Sequence, residues 1–148
     1  MSDRDRPVPS RADFPVLRPQ STRWSDDDRY GHVNNVVHYA WFDTAVNGHL
    51  IERLGHDTRQ LPAIGLVVET GCRYLAPLGF PDQLEVGIAV TSIGRSSITY
   101  ELAVFRAGED RPASVGRFVH VYVDRDEQRT TVPVPDEVRA AVAHLVRG

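Results

Sequence analysis

The sequence lacks lysine entirely, because all 17 of its basic residues are arginines. Without lysine, the chain can form neither a Schiff base nor the lysine contact of a P-loop. Its single cysteine, Cys72, cannot make a disulfide within the chain. No apolar run in the first thirty residues is long enough for a signal peptide or a membrane span. We therefore expect a cytoplasmic protein that does not associate with membranes.

The chain also lacks a strong charge of one sign, since its formal net charge is only -3. The scattered arginines do not form the basic patch of a nucleic-acid-binding protein. A chain of 148 residues suits one domain with a real core. Residues 1–14 mix Asp, Arg, Pro and Ser without periodicity and predict a flexible N-terminal arm. Residues 15–148 then form the single domain.

The most apolar segment, Val36 to Leu54, has the character of a long helix. Apolar and aromatic residues occupy nearly every angular position of its first half, which is typical of a helix surrounded by protein. Gly55 supplies a C-terminal stop for this helix. A weaker strand pattern from Leu17 to Trp24 precedes it, with Pro19 restricting that strand to a sheet edge or to the beginning of the strand.

Period-two patterns follow the helix and predict strands. In the first of them, Leu66 to Tyr74, alternate residues share one face and Gly71 is a candidate bulge. Two further alternating segments flank Gly94-Arg95, which is placed to turn a tight hairpin. The last long strand contains His120, and a short amphipathic helix begins at Pro135.

This order of elements predicts an α+β fold. One long central helix is wrapped by a curved antiparallel sheet of about five strands, with a short C-terminal helix added. A curled sheet leaves an unpaired edge, which proteins of this size often cover with another copy of the chain. We therefore expect a homo-oligomer.

The segment "DDDRYGHVNN", Asp26 to Asn35, places three carboxylates, a histidine and two asparagines just before the helix. In the simpler interpretation, one Asp or Asn caps the helix and the others are solvated. The alternative is a reactive site. The free N–H groups and the positive end of the helix dipole favour an oxyanion there, and Gly31 permits close backbone approach.

The longer stretch "DDDRYGHVNNVVHYAWFD" resembles the motif of hotdog-fold acyl-CoA thioesterases similar to 4-hydroxybenzoyl-CoA thioesterase. In that family, an Asp-x-Asp-x-x-Gly-His-Val-Asn-Asn run precedes the central helix. "VVETGCRYLAPLGFPDQLEVGIAVTSIGRSSITYELAVFR" resembles the family's next three strands, so the likeness covers most of Arg18 to Asp124. The chain departs from the family at two positions, with His38 in place of a tyrosine and Asp43 in place of a residue that is often glutamate.

The resemblance implies hydrolysis of an acyl-CoA thioester to a free acid and CoA. The aspartate matched by Asp28 is the catalytic carboxylate, as nucleophile or as general base, and the N–H groups at the helix start form the oxyanion hole. Gly31 and His32 complete the catalytic set. Coenzyme A enters only as part of the substrate, without a separate cofactor. The implied assembly is a homodimer or a dimer of dimers with the site at the subunit interface. The predicted substrate-binding residues are Asn34, Asn35, His38, Asp43 and Arg95.

Arg95, Asp43 and His120 each have more than one possible role. Arg95 could contact the phosphates of coenzyme A, or it could be a solvated arginine of the hairpin turn. A carboxylate in the apolar half of the helix is costly unless it is paired, so Asp43 either meets Arg73 or Arg117 or lines the pocket as a second acid. His120 alternates with valines on its strand, where a structural role is the default and a role in the pocket is the alternative.

Other chemistries fit the sequence less well. Ser96 and Ser97 lack the Gly-x-Ser-x-Gly elbow of serine hydrolases, and Cys72 in mid-strand suits a core residue. A metal site built from Asp26, Asp28, His32 and His38 matches no known ligand spacing, so no metal is predicted. On the same fold, an enoyl-thioester hydratase and a non-catalytic acyl-CoA-binding protein remain alternatives.

Overall fold

The computed structural model describes residues 5–147 of the chain, and the fold is the predicted helix on a five-stranded sheet. The strands pair antiparallel in the spatial order β1-β3-β4-β5-β2. One long helix, α1, crosses one face of this sheet. The elements are β1 (Val16–Ser21), α1 (Asn35–Leu54), β2 (Ala63–Tyr74), β3 (Gln83–Ile93), β4 (Ser97–Arg106), β5 (Ser114–Asp124) and α2 (Asp136–Val142), with short 3-10 turns at Arg11–Asp13, Trp24–Asp26, Thr58–Gln60 and Ala143–Leu145.

Capping residues at both ends define α1. Asn34 is the N-cap, and its Oδ1 accepts a hydrogen bond from the amide of Val36 at 3.0 Å. At the other end, Gly55 adopts a left-handed conformation with φ 75°, and its amide donates to the carbonyl of Ile51. The predicted stop at Gly55 is therefore confirmed.

The face of α1 that meets the sheet supplies most of the buried residues of the helix. The ring of Phe42 lies directly against Gly116 of β5, where an added Cβ would come within 2.5 Å of the ring. Only glycine leaves room for this packing. The buried residues of α1 are His38, Trp41, Phe42, Ala45, Val46, His49 and Leu50.

The opposite face of α1 is open in the single chain. Val36 is 65% exposed, and Ala40, Asp43, Thr44 and Ile51 are exposed as well. The prediction that protein surrounds the helix on all sides is therefore wrong for one chain alone. The periodicity indicated that both faces carry apolar side chains, but it could not show what covers the second face.

Strand β2 contains a bulge, but not at the predicted position. The register against β5 shifts between Val67 and Glu69 and runs without interruption through Gly71. Leu66 and Thr70 have β5 partners that are three residues apart, so the two side chains lie on opposite faces of the sheet. The prediction of one common face from Leu66 to Tyr74 is therefore wrong, because the bulge reverses the alternation.

The remaining sheet follows the sequence patterns closely. Strands β3 and β4 are joined through Gly94 and Arg95, as predicted, and their alternating apolar residues are buried under α1. Strand β1 ends at Ser21, earlier than expected, and it lies at an edge of the sheet, where Pro19 is tolerated. The short helix after Pro135 packs Val138 and other apolar residues into the core.

Part of the predicted N-terminal arm contacts the sheet. Phe14 is buried against Phe105, with ring centroids 5.7 Å apart, and Arg11 forms an ion pair with Glu85. Residues 1–4 lie outside the described residues, and the flexibility of the arm stays a prediction. Within residues 5–147, no helix is long and apolar enough to cross a membrane.

Candidate active site

The aspartates of the Asp26–Asn35 segment sit in a tight turn that leads into α1. The amide of Asp28 donates to the carbonyl of His32 at 2.7 Å, and the amide of Gly31 donates to the carbonyl of Asp28 at 3.1 Å. Gly31 adopts φ 79°, a left-handed conformation that glycine accepts without strain. This is the geometry of a three-residue hairpin loop. The loop therefore folds back so that Asp28 lies opposite His32, while the Asp26 carbonyl meets the amide of Asn34 at the start of the helix.

Two of the three carboxylates are fully engaged in holding this turn. The Asp26 carboxylate is buried and accepts from the backbone amide and the guanidinium of Arg23, at 2.8 to 3.0 Å. Both oxygens of Asp27 accept from the amide of Phe80, at 3.1 and 3.3 Å. Asp26 is therefore paired with a cation, and both oxygens of Asp27 share one backbone amide.

Asp28 differs, because only one of its carboxylate oxygens is engaged. Its Oδ1 accepts from the amides of Tyr30 at 2.8 Å and His32 at 3.3 Å. Among the described residues, no hydrogen bond is recorded for its Oδ2. The half-buried side chain is thus held in one orientation by Oδ1. The sequence motif singled out Asp28, and the hydrogen bonds distinguish it from its two neighbours.

The start of α1 offers fewer free amides than expected. The Val36 amide is taken by the Asn34 side chain, and the Asn34 amide donates to the carbonyl of Asp26 at 2.9 Å. For the amide of Asn35, the first residue of the helix, no acceptor is recorded among residues 5–147. The Asn35 carbonyl accepts from the hydroxyl of Tyr74 at 2.8 Å, which ties the helix start to the end of β2.

His38 lies in the core and not at the surface of the site. Its Nδ1 is 2.7 Å from the hydroxyl oxygen of Ser114, and its ring packs against Trp41 and Tyr74. Burial lowers the pKa of His38 to about 4, so the ring is neutral at pH 7. Burial also raises the pKa of the neighbouring Cys72 thiol, as expected of a core residue and not of a nucleophile.

The other predicted catalytic residues contact Asp28 through their backbone. His32 is exposed, and the contacts recorded for it are those of its amide and carbonyl with Asp28. Gly31 contributes its backbone conformation. A role for the His32 imidazole stays a prediction.

Asp43 and Arg95 are both exposed, at different parts of the fold. The Asp43 carboxylate accepts from the side-chain amide of Asn47 at 3.3 Å. Neither predicted arginine partner pairs with Asp43 in the described part of the chain. Arg117 pairs with Glu69, and Arg73 donates to a backbone carbonyl of the arm. Arg95 lies in the hairpin turn, where its carbonyl accepts from Arg139.

A cavity of about 340 Å³ lies under the second half of α1, which we call the α1–β2 cavity. It is bounded by the beginning of β2, the end of β5 and the 3-10 turn at Thr58–Gln60. The sequence did not single out Asn47 or Tyr122 in its wall, because the cavity is formed by segments far apart in the chain. The residues that define its inner wall are Asn47, Leu50, Ala63, Gly65, His120 and Tyr122.

No group of three metal-ligating side chains occurs among residues 5–147. Of the four candidates weighed from the sequence, Asp26 is engaged by Arg23 and His38 by Ser114. The described structure does not bring the four together as a ligand set.

Comparison with known proteins identifies the family to which the chain belongs. A family model of the Thioesterase-like superfamily matches residues 22–142. The chain belongs to this superfamily, and its helix-on-sheet architecture is the hotdog fold.

Three solved structures are similar to this chain in sequence and in fold. The PA5185 protein of Pseudomonas aeruginosa is 49% identical, with a TM-score of 0.91 over 96% of this chain and 99% of that chain. A thioesterase from Thermus thermophilus, solved with coenzyme A and Zn, is 29% identical, with a TM-score of 0.75 over 90% of this chain and 95% of that one. The gentisyl-coenzyme A thioesterase BH1999 is 25% identical, with a TM-score of 0.74 over 86% of this chain and 99% of its own.

Proposed function

We propose that the protein hydrolyses an acyl-CoA thioester to a free acid and CoA, with Asp28 as the catalytic carboxylate. The observation that carries this proposal is the single engaged oxygen of Asp28, which orients the side chain and leaves Oδ2 without a recorded partner. Membership of the thioesterase superfamily and the coenzyme A bound to the Thermus thermophilus structure support the reaction class.

The free Oδ2 can act in two ways. As a nucleophile, it attacks the thioester carbon and expels the CoA thiolate, and water then hydrolyses the mixed anhydride. As a general base, it takes a proton from a water molecule that attacks the same carbon. Both routes consume one water and yield the acid and CoA, and a positioned base typically contributes about 10² to 10⁴ in rate.

The negative charge that develops on the thioester oxygen needs a hydrogen-bond donor to stabilise it. The amide of Asn35 at the start of α1 is the candidate, because the neighbouring amides of Asn34 and Val36 already have acceptors. The helix dipole adds a positive field at this end. One oxyanion donor of this kind is typically worth about 10² to 10³ in rate.

A second copy of the chain would complete the site. Strand β2 pairs only with β5, and its outer edge is exposed around Val68, which is 59% exposed. If two copies pair antiparallel along this edge, with the two-fold axis between Val68 and Glu69, Tyr74 of the partner subunit lies opposite Ala63. Tyr74 holds the start of its own helix, so this pairing would bring the partner subunit's helix start, and with it the loop that contains Asp28, toward the α1–β2 cavity of this chain. The acyl group would then enter the cavity while the thioester meets the carboxylate.

This assembly predicts the behaviour of an edge variant. Val68→Arg places a charge on the proposed interface, so we expect a smaller mass in solution and loss of thioesterase activity together. Val146→Arg is the control, because Val146 is 46% exposed but lies beside β3 and not on the β2 edge. Light scattering at one protein concentration gives the mass. A wild-type monomer with full activity would contradict the shared site.

A panel of acyl-CoA thioesters tests the reaction itself. It includes aromatic thioesters, because the related BH1999 protein is a gentisyl-coenzyme A thioesterase. Release of CoA, followed with a thiol reagent, is the expected result. Loss of enoyl absorbance without CoA release would indicate a hydratase, and binding without either change would indicate an acyl-CoA-binding protein.

A further inference from the structure

One buried side chain in the wall of the α1–β2 cavity has a ring nitrogen without a hydrogen-bond partner among the described residues. His120 on β5 is only 3% exposed, lines the cavity, and faces α1. Its Nε2 is buried and has no hydrogen-bond partner among the described residues. An unpaired buried nitrogen is costly, whereas a ligand that hydrogen-bonds to the ring would remove part of this cost.

The wall around His120 is otherwise suited to an acyl group. Leu50, Leu61, Ala63 and Ile64 supply apolar surface, and the volume of about 340 Å³ lies within the range of small-molecule sites. Apolar walls with a few placed polar groups are the usual composition of such sites. The wall also contains polar side chains besides His120, namely Asn47, Thr58, Arg59, Tyr122, Arg125 and Gln128. The amide nitrogen of Asn47 is already bound to the carbonyl of Asp43 at 2.9 Å.

The protonation state of His120 limits which ligand groups can hydrogen-bond to its ring. Burial lowers the pKa of His120, although the charge of nearby Asp43 acts in the opposite direction. The imidazole is therefore neutral at pH 7, with one nitrogen as donor and the other as acceptor. A neutral ring can donate to a keto group or exchange hydrogen bonds with a hydroxyl group. The two arginines of the wall, Arg59 and Arg125, are paired with Asp57 and Asp126.

We propose that His120 determines the specificity of the acyl pocket and selects acyl groups that carry a neutral hydrogen-bonding substituent, a hydroxyl or a keto group. This inference rests on the proposed thioesterase function, because it takes the α1–β2 cavity as the place of the acyl group. Asp28 carries out the hydrolysis, and His120 determines which acyl groups the cavity accepts.

His49 provides a matched comparison within the same chain. It is also buried, and its Nε2 also has no recorded partner in residues 5–147. Its ring stacks on His144 near α2, with centroids 4.9 Å apart, and it does not line the α1–β2 cavity. A substitution at His49 therefore perturbs the core similarly without touching the proposed pocket.

The test compares thioesters that differ only in one hydroxyl. The pairs are benzoyl-CoA with its ring-hydroxylated isomers, and hexanoyl-CoA with 6-hydroxyhexanoyl-CoA, so that ring and chain hydroxyls are distinguished. We expect the wild type to prefer the hydroxylated member of at least one pair by about 10- to 100-fold in kcat/KM. His120→Phe keeps the approximate size of the ring and should bring this ratio close to one. His49→Phe should leave the ratio unchanged.

Failure of this inference is distinguishable from failure of the proposed function. A ratio that stays the same in His120→Phe, or a wild type without any preference, overturns the role of His120 while leaving the thioesterase intact. Absence of CoA release from every thioester would instead contradict the proposed function.

If no CoA is released, or if His120→Phe does not fold, nitrogen NMR of wild-type His120 during titration with 4-hydroxybenzoate and with 6-hydroxyhexanoate decides the question. Benzoate and hexanoate are the matched controls. A shift of the ring nitrogens by a hydroxylated acid alone supports the inference, and equal or absent shifts in both pairs overturn it.

Discussion

The turn that holds Asp28 can be tested by replacing its left-handed glycine. Gly31 has φ 79°, and an added Cβ would meet nothing within 4 Å. Gly31→Ala therefore introduces no steric clash, and its cost is the left-handed conformation itself, about 1 to 2 kcal/mol for a residue with a Cβ. Relief of that strain would change the turn whose amides orient the Asp28 carboxylate.

The chain offers a matched control at Gly55. This residue has φ 75° and equally open surroundings, but it lies at the far end of α1. We expect both alanine variants to lose about 1 to 2 kcal/mol in the free energy of unfolding, measured with urea at one protein concentration. Only Gly31→Ala should also lose CoA release from acyl-CoA. Gly31→Asn should lose less stability than Gly31→Ala, because asparagine tolerates this conformation better.

If Gly31→Ala is as stable as the wild type, the left-handed conformation at position 31 does not contribute to the free energy of unfolding, and the prediction is wrong. Equal activity of the Gly31→Ala and Gly55→Ala variants would also refute it, because the turn would then have no part in placing the carboxylate.

Two further predictions concern the core. Gly116→Ala places a Cβ within 2.5 Å of the Phe42 ring, so overpacking should lower the free energy of unfolding by about 1 to 3 kcal/mol, and an unchanged urea midpoint would contradict the packing. Stability should also fall at mildly acid pH. The pKa values of His38 and His49 are about 4 when folded, against an ordinary value of 6.5, so the unfolded chain binds more protons between these values. Their contribution is complete above pH 6.5 and is lost as the pH falls toward 4, at up to about 1.4 kcal/mol per pH unit for each histidine. Urea unfolding at pH 7 and pH 5 measures this loss, and equal stability at both would show that the two rings are not buried as neutral groups.

The elements that the sequence predicted well depend on local patterns. Alternating apolar residues defined β3, β4 and β5, and Gly55 and Gly94 marked a helix end and a hairpin. These features are decided by neighbours within a few residues. The position of the β2 bulge was not predictable in the same way, because it is set by pairing with β5, where Val67 meets His120.

The candidate site also combines features that the local sequence predicted with features that depend on distant parts of the chain. The motif marked Asp28 and Gly31, but the partners that occupy Asp26 and Asp27 became visible only in three dimensions. Phe80, which holds Asp27, comes from a loop far along the chain. His120 likewise looked structural on its strand, because the cavity that it lines is closed by α1 and β2.

The most direct test of the central claim compares Asp28→Asn with Asp27→Asn. An asparagine Oδ1 at position 28 can still accept from the amides of Tyr30 and His32, and one at position 27 can still accept from Phe80, so both variants should keep the fold. Only the first variant removes the charged oxygen proposed for catalysis.

The measurement is single-turnover release of CoA from the best substrate of the acyl-CoA panel, with melting curves to confirm that both variants fold. Asp28→Asn should slow release by about 10² to 10⁴ or more, while Asp27→Asn stays close to the wild type. Equal rates in the two variants, or wild-type turnover in Asp28→Asn, would contradict the assignment of Asp28 as the catalytic carboxylate.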